Sequence, residues 1–261
     1  DVEPGMSAAP EMVTKAIGSF PAGSAGGPDG LRPQHLKDLI SFSSGDAGIR
    51  LLQALTDVVN LILAGCAHPA VCPILFGANL TALDKGQGDV RPIAVGSTLR
   101  RIAGKICSRQ TNAELGYILR PIQLGYGTKG GCEAAVHALL KVDFKNAFNN
   151  IRRNVGLQKV KEHIPKTSNY AYHANASETN LFFDDYILSS AAGVQEGDPM
   201  GPAFFALGVR DLSLRMKSTL NVWYLDDVTC GGDPNDVLAD LDTICRYSQL
   251  IGMELNPGKC E

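Results

Sequence analysis

The chain has 261 residues, 44% of them apolar and 20% charged, enough for one large domain or two packed subdomains with a real core and unlike a disordered chain. Its formal net charge of -3 gives no whole-chain electrostatic case for nucleic acid, whose capture depends on Lys and Arg neutralising phosphates. No apolar run reaches the roughly 18 residues of a membrane span, and no apolar N-terminal segment follows basic residues, so the expectation is a soluble intracellular protein, cytoplasmic or nuclear.

In chain order, residues 21–33 read PAGSAGGPDGLRP, a loop by its turn chemistry. Apolar residues at helical spacing then predict helices over 35–40 and 47–64, the second carrying Leu51, Leu52, Leu55, Val58, Val59, Ile62 and Leu63. Two strands, 78–83 and 91–95, flank a Gly-containing turn and predict a hairpin whose tip and second strand bear Lys85 and Arg91. A helix over 99–110 follows, in a stretch that holds Arg91, Arg100, Arg101, Lys105 and Arg109 and no acid. Arg101, Lys105 and Arg109 recur every fourth residue and so share one helix face, a solvated face or a nucleic-acid contact. The glycine-rich stretch 125–131 opens a predicted helix near Cys132, a geometry that can hold phosphate but lacks the GK[ST] ending of a P-loop. Beyond it come a strand over 139–144, helices over 147–161 and 203–216, a strand region over 181–188, a hairpin over 221–230 centred on Asp226-Asp227, and a helix over 234–250. This mixture is α+β.

Cysteines at 66, 72, 107, 132, 230, 245 and 260 are odd in number and irregular in spacing, which disfavours a disulfide framework and fits a reducing compartment. Cys66, His68 and Cys72 lack a second pair of ligands nearby and read as packing or incidental residues.

Three segments stand out by their order: KVDFKNAF at 141–148, GVQEGDP at 193–199 and WYLDDV at 223–228. With GGPDG at 26–30, RPI at 91–93, GYG at 125–127 and GMELNPGK at 252–259, they resemble the reverse transcriptases of non-LTR (LINE-like) retrotransposons along nearly the whole chain. The resemblance implies a right-hand polymerase palm, an antiparallel sheet backed by helices, over 139–261. A mainly helical fingers region with the basic hairpin and helix would occupy 1–138, and the thumb, any endonuclease and any zinc knuckle would lie outside this sequence. It implies RNA-directed DNA synthesis from an RNA template, a DNA primer and dNTPs, with two magnesium ions, or manganese in their place, held by Asp143, Asp226 and Asp227. Two-metal nucleotidyl transfer needs such carboxylates, because hard divalent cations prefer oxygen ligands and crowded acids resist joint ionisation without them.

By the same resemblance Phe148, five residues after Asp143, is the gate that excludes a ribose 2′-hydroxyl, and Asn146 and Ala147 offer backbone amides to the triphosphate. Lys85 and Arg91 meet its phosphates, Gln195, Glu196 and Gly197 support the incoming nucleotide, Arg101, Lys105 and Arg109 touch nucleic acid, and Lys259 protonates pyrophosphate. An isolated Asp-Asp turn is ordinarily just polar, and Phe182-Phe183-Asp184-Asp185 shows it: an aromatic residue also stands two places before that pair. Asp184-Asp185 precedes the middle segment and is read as structural; Asp226-Asp227 follows it, as the family requires.

The sequence departs from the family twice. Glu196 stands directly before Gly197, where the family has Gln, and the connection over 134–143 is shorter than the family's. These departures leave open a catalytically silent retroelement remnant that binds RNA or serves as a structural domain. An RNA-dependent RNA polymerase shares the palm carboxylates, but Phe148 and Tyr224-Leu225-Asp226-Asp227 favour the reverse transcriptase. A magnesium phosphohydrolase would leave the basic segment without purpose.

Overall fold

A computed structural model describes residues 5–86, 89–126 and 140–261. The expected helix opening near Cys132 and the shortened connection over 134–139 lie outside the described residues.

The helices are α1 Pro10–Gly18, α2 Pro33–Leu39, α3 Gly45–Leu63, α4 Cys72–Leu75, α5 Thr98–Leu119, α6 Ala147–Asn150, α7 Arg153–His163, α8 Ser168–Asn175, α9 Gly201–Ser213 and α10 Pro234–Leu250. The strands are β1 Ala78–Gly86, β2 Asp89–Gly96, β3 Leu140–Val142, β4 Thr179–Phe183, β5 Tyr186–Ser190, β6 Leu220–Tyr224 and β7 Asp227–Gly231. They form two compact units. The first comprises Asp1–Gln110, Pro165–Ala191 and Gln195–Met200; the second comprises Thr111–Ile164, Ala192–Val194 and Gly201–Glu261. The expected division at 138/139 follows the sequence, whereas these units interleave: the chain returns to the first after Ile164 and again for Gln195–Met200.

In the first unit the sheet order is β2-β1-β4-β5, antiparallel except for β1 and β4, which run parallel with Ala78 opposite Leu181. The predicted basic hairpin is β1-β2. Val13 and Ile17 of α1, Val59, Ile62 and Leu63 of α3, Phe76, Ile102 and Ile106 make its buried core. Arg100, at 2% exposure, sits in that core on the same helix stripe as Ala103 and Cys107.

In the second unit the sheet order is β3-β7-β6, all antiparallel. Helix α9 is buried on almost every face, the mark of a central helix. Gly156 of α7 and Gly208 of α9 permit the close approach of these helices: a Cβ on Gly156 would lie 2.1 Å from the Phe204 ring, and one on Gly208 2.7 Å from Ile151. Helix α10 starts where its sequence says it should, with Asp233 accepting from the Asn235 N–H at 2.8 Å and Pro234 in the first turn. Its buried Asp240 accepts from the backbone N–H groups of Lys217 and Ser218 at 2.7 and 2.8 Å, so the carboxylate is satisfied.

One predicted helix is broken. The helix expected over 147–161 is α6 and α7, separated at Ile151, whose ψ of 134° is extended. The break buries the Ile151 side chain completely and lets the Arg152 N–H reach the Ile251 carbonyl at 2.8 Å.

Candidate active site

The candidate carboxylates are gathered by strand pairing in the second unit. Strands β3 and β7 pair with Val142 opposite Val228, so the next pair outward in that register is Asp143 with Asp227. On its other side β3 is flanked by the C-terminal segment: Lys141 and Glu261 exchange backbone bonds at 2.8 and 3.1 Å, and the Asn256 N–H donates to the Asp143 carbonyl at 2.9 Å. Asp143 is thus fixed by backbone from both sides. The segment bearing Lys259 is bonded to its peptide, with the Lys259 side chain exposed.

Strands β6 and β7 close through Tyr224 opposite Asp227, which leaves Leu225 and Asp226 as the two turn residues. The hairpin is therefore centred one residue earlier than predicted. Asp226 occupies the turn and Asp227 begins the strand, so successive carboxylates leave the backbone from different positions. Partial desolvation, and then the negative charge of Asp143, raise the Asp227 carboxyl above the ordinary aspartate range. That Asp143 contributes places the two acids within electrostatic reach of each other.

The pair Asp184-Asp185 differs in register. Phe183 pairs with Tyr186, so both aspartates lie in the turn and neither starts a strand; Asp184 has φ 47°, a conformation Asp tolerates. This hairpin belongs to the first unit.

Among the described residues no three His, Cys, Asp or Glu side chains converge as a ready-made metal cage. Magnesium suits such a site, because it is usually bound through one or two carboxylates plus water and substrate phosphates rather than by an all-protein cage. Carboxylates that repel one another across two strands, half-buried or exposed, are a donor set that a divalent cation fits.

Beside these acids Asn146 takes the left-handed conformation, φ 44° and ψ 45°, and ends the strand segment ahead of α6. Asn146 is exposed and Ala147 buried. Phe148 is half-buried, and its ring stacks on Phe205 with centroids 4.4 Å apart and planes 7° from parallel, which restricts its rotamer. The Phe148 carbonyl accepts from the Val194 N–H at 2.6 Å, and Gly193 packs so tightly that a Cβ would fall 2.2 Å from the Asn149 backbone.

In the first unit Lys85 lies on β1, and Arg91 is exposed on β2 opposite Leu83. The expectation that Gln195 contacts the nucleotide meets a different arrangement. Its side chain is buried, accepts from the Arg100 guanidinium at 2.5 Å, and donates to Thr179 Oγ1 at 3.1 Å and the Phe76 carbonyl at 3.3 Å. The physical reason is Arg100: a buried guanidinium needs acceptors, and Gln195 and Asp198, the latter at 2.6 Å, supply them. Burial pulls the Arg100 pKa down, but Asp198 and Tyr170 together outweigh it and the group stays charged. The half-buried Glu196 holds the same segment to β2, its carbonyl accepting from the Ala94 N–H at 2.9 Å, and exposed Gly197 has φ +112°.

The basic face of α5 is real, since Arg109 and then Arg101 add to desolvation in lowering the Lys105 pKa. Part of that face is spent on packing. Arg101 and Lys105 lie over the Phe20 ring, 5.2 and 4.5 Å from its centroid, and Arg101 donates to the Ala25 carbonyl at 2.6 Å, while Arg109 is exposed. Cys66 is exposed and Cys72 lies 3.2 Å from His173 Nε2, an arrangement of two groups. No helix among the described residues is long and apolar enough to cross a membrane.

The chain is 24% identical over 214 residues to the Retrotransposable element SLACS 132 kDa protein of Trypanosoma brucei gambiense, in an alignment that covers 72% of this chain and 17% of that protein. The chain thus spans under a fifth of that relative's length. Among solved structures, an apo telomerase from Candida tropicalis truncated from its C-terminal domain has a similar mixed α+β fold: TM-score 0.54 at 12% identity, covering 72% of this chain and 50% of that one. Residues 83–261, more than half of the chain, match the family described as reverse transcriptase (RNA-dependent DNA polymerase), and the chain belongs to that family.

Proposed function

We propose that the chain is the fingers and palm part of a non-LTR retrotransposon reverse transcriptase, one that extends a DNA primer 3′-OH with dNTPs on an RNA template. The observation that carries the reading is the electrostatic coupling of Asp143 and Asp227 on neighbouring antiparallel strands, with Asp226 in the adjoining turn. Asp143, Asp226 and Asp227 would hold the magnesium ions, which when bound supply polarisation of the primer hydroxyl and neutralisation of the triphosphate. The residues of the chain do the rest by position. The braced Phe148 ring limits the space at the sugar 2′ carbon, and the Asn146-Ala147 peptide lies next to it in sequence. Lys85 and Arg91 bind nucleotide phosphates by the resemblance, Arg through its planar fork. Glu196 and Gly197 support the nucleotide, with Gln195 holding their loop from within. Lys259 gives a proton to the pyrophosphate, and Arg109, with the charged ends of Arg101 and Lys105, meets the nucleic-acid backbone.

A catalytically silent remnant is the second reading, favoured by the carboxylate of Glu196 where the family has an amide. Primer extension on a homopolymer RNA template with dNTPs and magnesium separates the two. Extension that Asp226→Asn abolishes supports the polymerase. A wild-type chain that binds RNA without extending, or extension that survives Asp226→Asn, refutes it.

A further inference from the structure

The turn that carries Asp226 is built on a residue poorly suited to it. Leu225 has φ 57°, and the other described non-glycine residues with positive φ are Asn146 and Asp184, whose short polar side chains tolerate that region. A two-residue hairpin turn with positive φ at its first central position is where glycine is favoured, and a bulky residue there costs about 1–3 kcal/mol. Something must hold the Leu225 peptide in place.

The side chain that does so is Gln123, 2% exposed and far away in sequence. Its Oε1 accepts from the Leu225 N–H at 2.8 Å, and its Nε2 donates to the Leu225 carbonyl at 3.3 Å, so one amide grips both polar groups of the strained residue. The same Oε1 accepts from the Gly125 N–H at 2.9 Å. Two N–H groups at one end and a carbonyl at the other fix which way the amide points. The surrounding backbone secures the clamp: Trp223 donates to the Ile122 carbonyl at 2.8 Å and accepts from the Leu124 N–H at 2.7 Å, so 122–124 lies alongside β6. Gly125 leaves no room for slippage, since a Cβ there would lie 2.7 Å from both the Leu225 nitrogen and its Cγ.

We infer that Gln123 is a positioning residue for Asp226, clamping the strained Leu225 peptide so that the turn presents its carboxylate for metal binding. The inference rests on the polymerase reading, in which Asp226 is a ligand. It makes a specific demand: the clamp is needed because position 225 is not glycine. Relieving the strain should remove the need for Gln123.

The test measures Mn2+ binding to the full chain by electron paramagnetic resonance, without nucleic acid or turnover, for wild type, Gln123→Met, Gln123→Met/Leu225→Gly and Asp226→Asn. Gln123→Met should weaken the Asp226-dependent binding by about 10-fold, the strain converted to affinity, and the double variant should return to within about two-fold of wild type. A residue that merely stabilises the fold would lower the melting temperature without this metal-specific loss and rescue. Gln123→Met binding like wild type, or a double variant as weak as the single one, overturns the inference while leaving the polymerase reading intact. If Gln123→Met does not fold, the double variant alone decides: near-wild-type binding supports the clamp and about ten-fold weaker binding refutes it. Wild-type binding that Asp226→Asn leaves unchanged sinks both.

Discussion

Asp143→Asn should make the metal-free protein more stable and leave it inactive. Asp227 carries a carboxyl pKa raised by desolvation and by Asp143, so the folded state holds its proton more tightly than the unfolded chain does. Ionisation therefore removes stability as pH rises from the ordinary value of 3.8 to the raised folded value, and the deficit is complete above that window, at neutral pH. Both acids are partly solvated, so the repulsion is worth the about 0.3–1 kcal/mol of a surface charge pair. For a chain of this size that is about 1–4 °C in melting temperature. Magnesium at ten times its Kd should stabilise the wild type by about 1.4 kcal/mol, and Asp143→Asn by almost nothing. Calorimetry at pH 7, in chelator and then in magnesium, beside primer extension, reads all three quantities. A variant less stable than wild type in chelator, or one that keeps the full magnesium shift, would refute the claim that these acids share a cation site. Repeating the chelator melt below the window should erase the difference.

Phe148→Ala should raise incorporation of rNTPs relative to dNTPs by at least about 10-fold, the scale on which a pocket that loses bulk loses discrimination; unchanged sugar selectivity removes Phe148 as the gate. Arg100→Met strands the Asp198 carboxylate in the core and should cost about 3–5 kcal/mol, a fall of about 10 °C in melting temperature, most of which Arg100→Met/Asp198→Leu should restore. An equal loss in the double variant would mean the ion pair is not the cause. Gly193→Ala combines φ +65° with a Cβ 2.2 Å from the Asn149 backbone and should cost well over the roughly 1 kcal/mol of an ordinary strained glycine, whereas Gly18→Ala, with nothing within 4 Å, should be neutral or stabilising. Urea melts of the two variants compare them directly.

Elements that follow from local pattern were legible in the sequence. α3, the β1-β2 hairpin and α10 appear close to their expected positions because each has a periodic apolar face and clear end signals. α8, with the sequence SNYAYHAN, has no such signal: it is helical because Tyr170, Ala171 and Ala174 are buried in its unit. The break between α6 and α7 was likewise hidden, since 147–161 reads as one helix until the burial of Ile151 is known. Arg100 does carry a signal in the sequence. It falls one residue off the Arg101, Lys105, Arg109 row and on the stripe of Ala103 and Cys107, so a cation there had to be buried and paired.

The candidate site divides in the same way. Its carboxylates were legible because they sit in short segments whose order along the chain is distinctive, and the pairing of β3 with β7 brings two of those segments side by side. Motif matching could not set the register, and register is what separates the two aspartate pairs: one fills its turn, while the other straddles a turn and a strand opposite Asp143. Supporting groups were illegible for a different reason. Gln195 stands within a motif yet bonds to Arg100, and Gln123 reaches Leu225 across 102 residues, so neither partnership leaves a local pattern. A turn that must aim a carboxylate can tolerate a leucine at positive φ only while such a distant partner is present. Substitutions at the two ends of that bond should therefore be coupled, whereas those at Phe148, which is held by its own stack on Phe205, should act independently of Gln123.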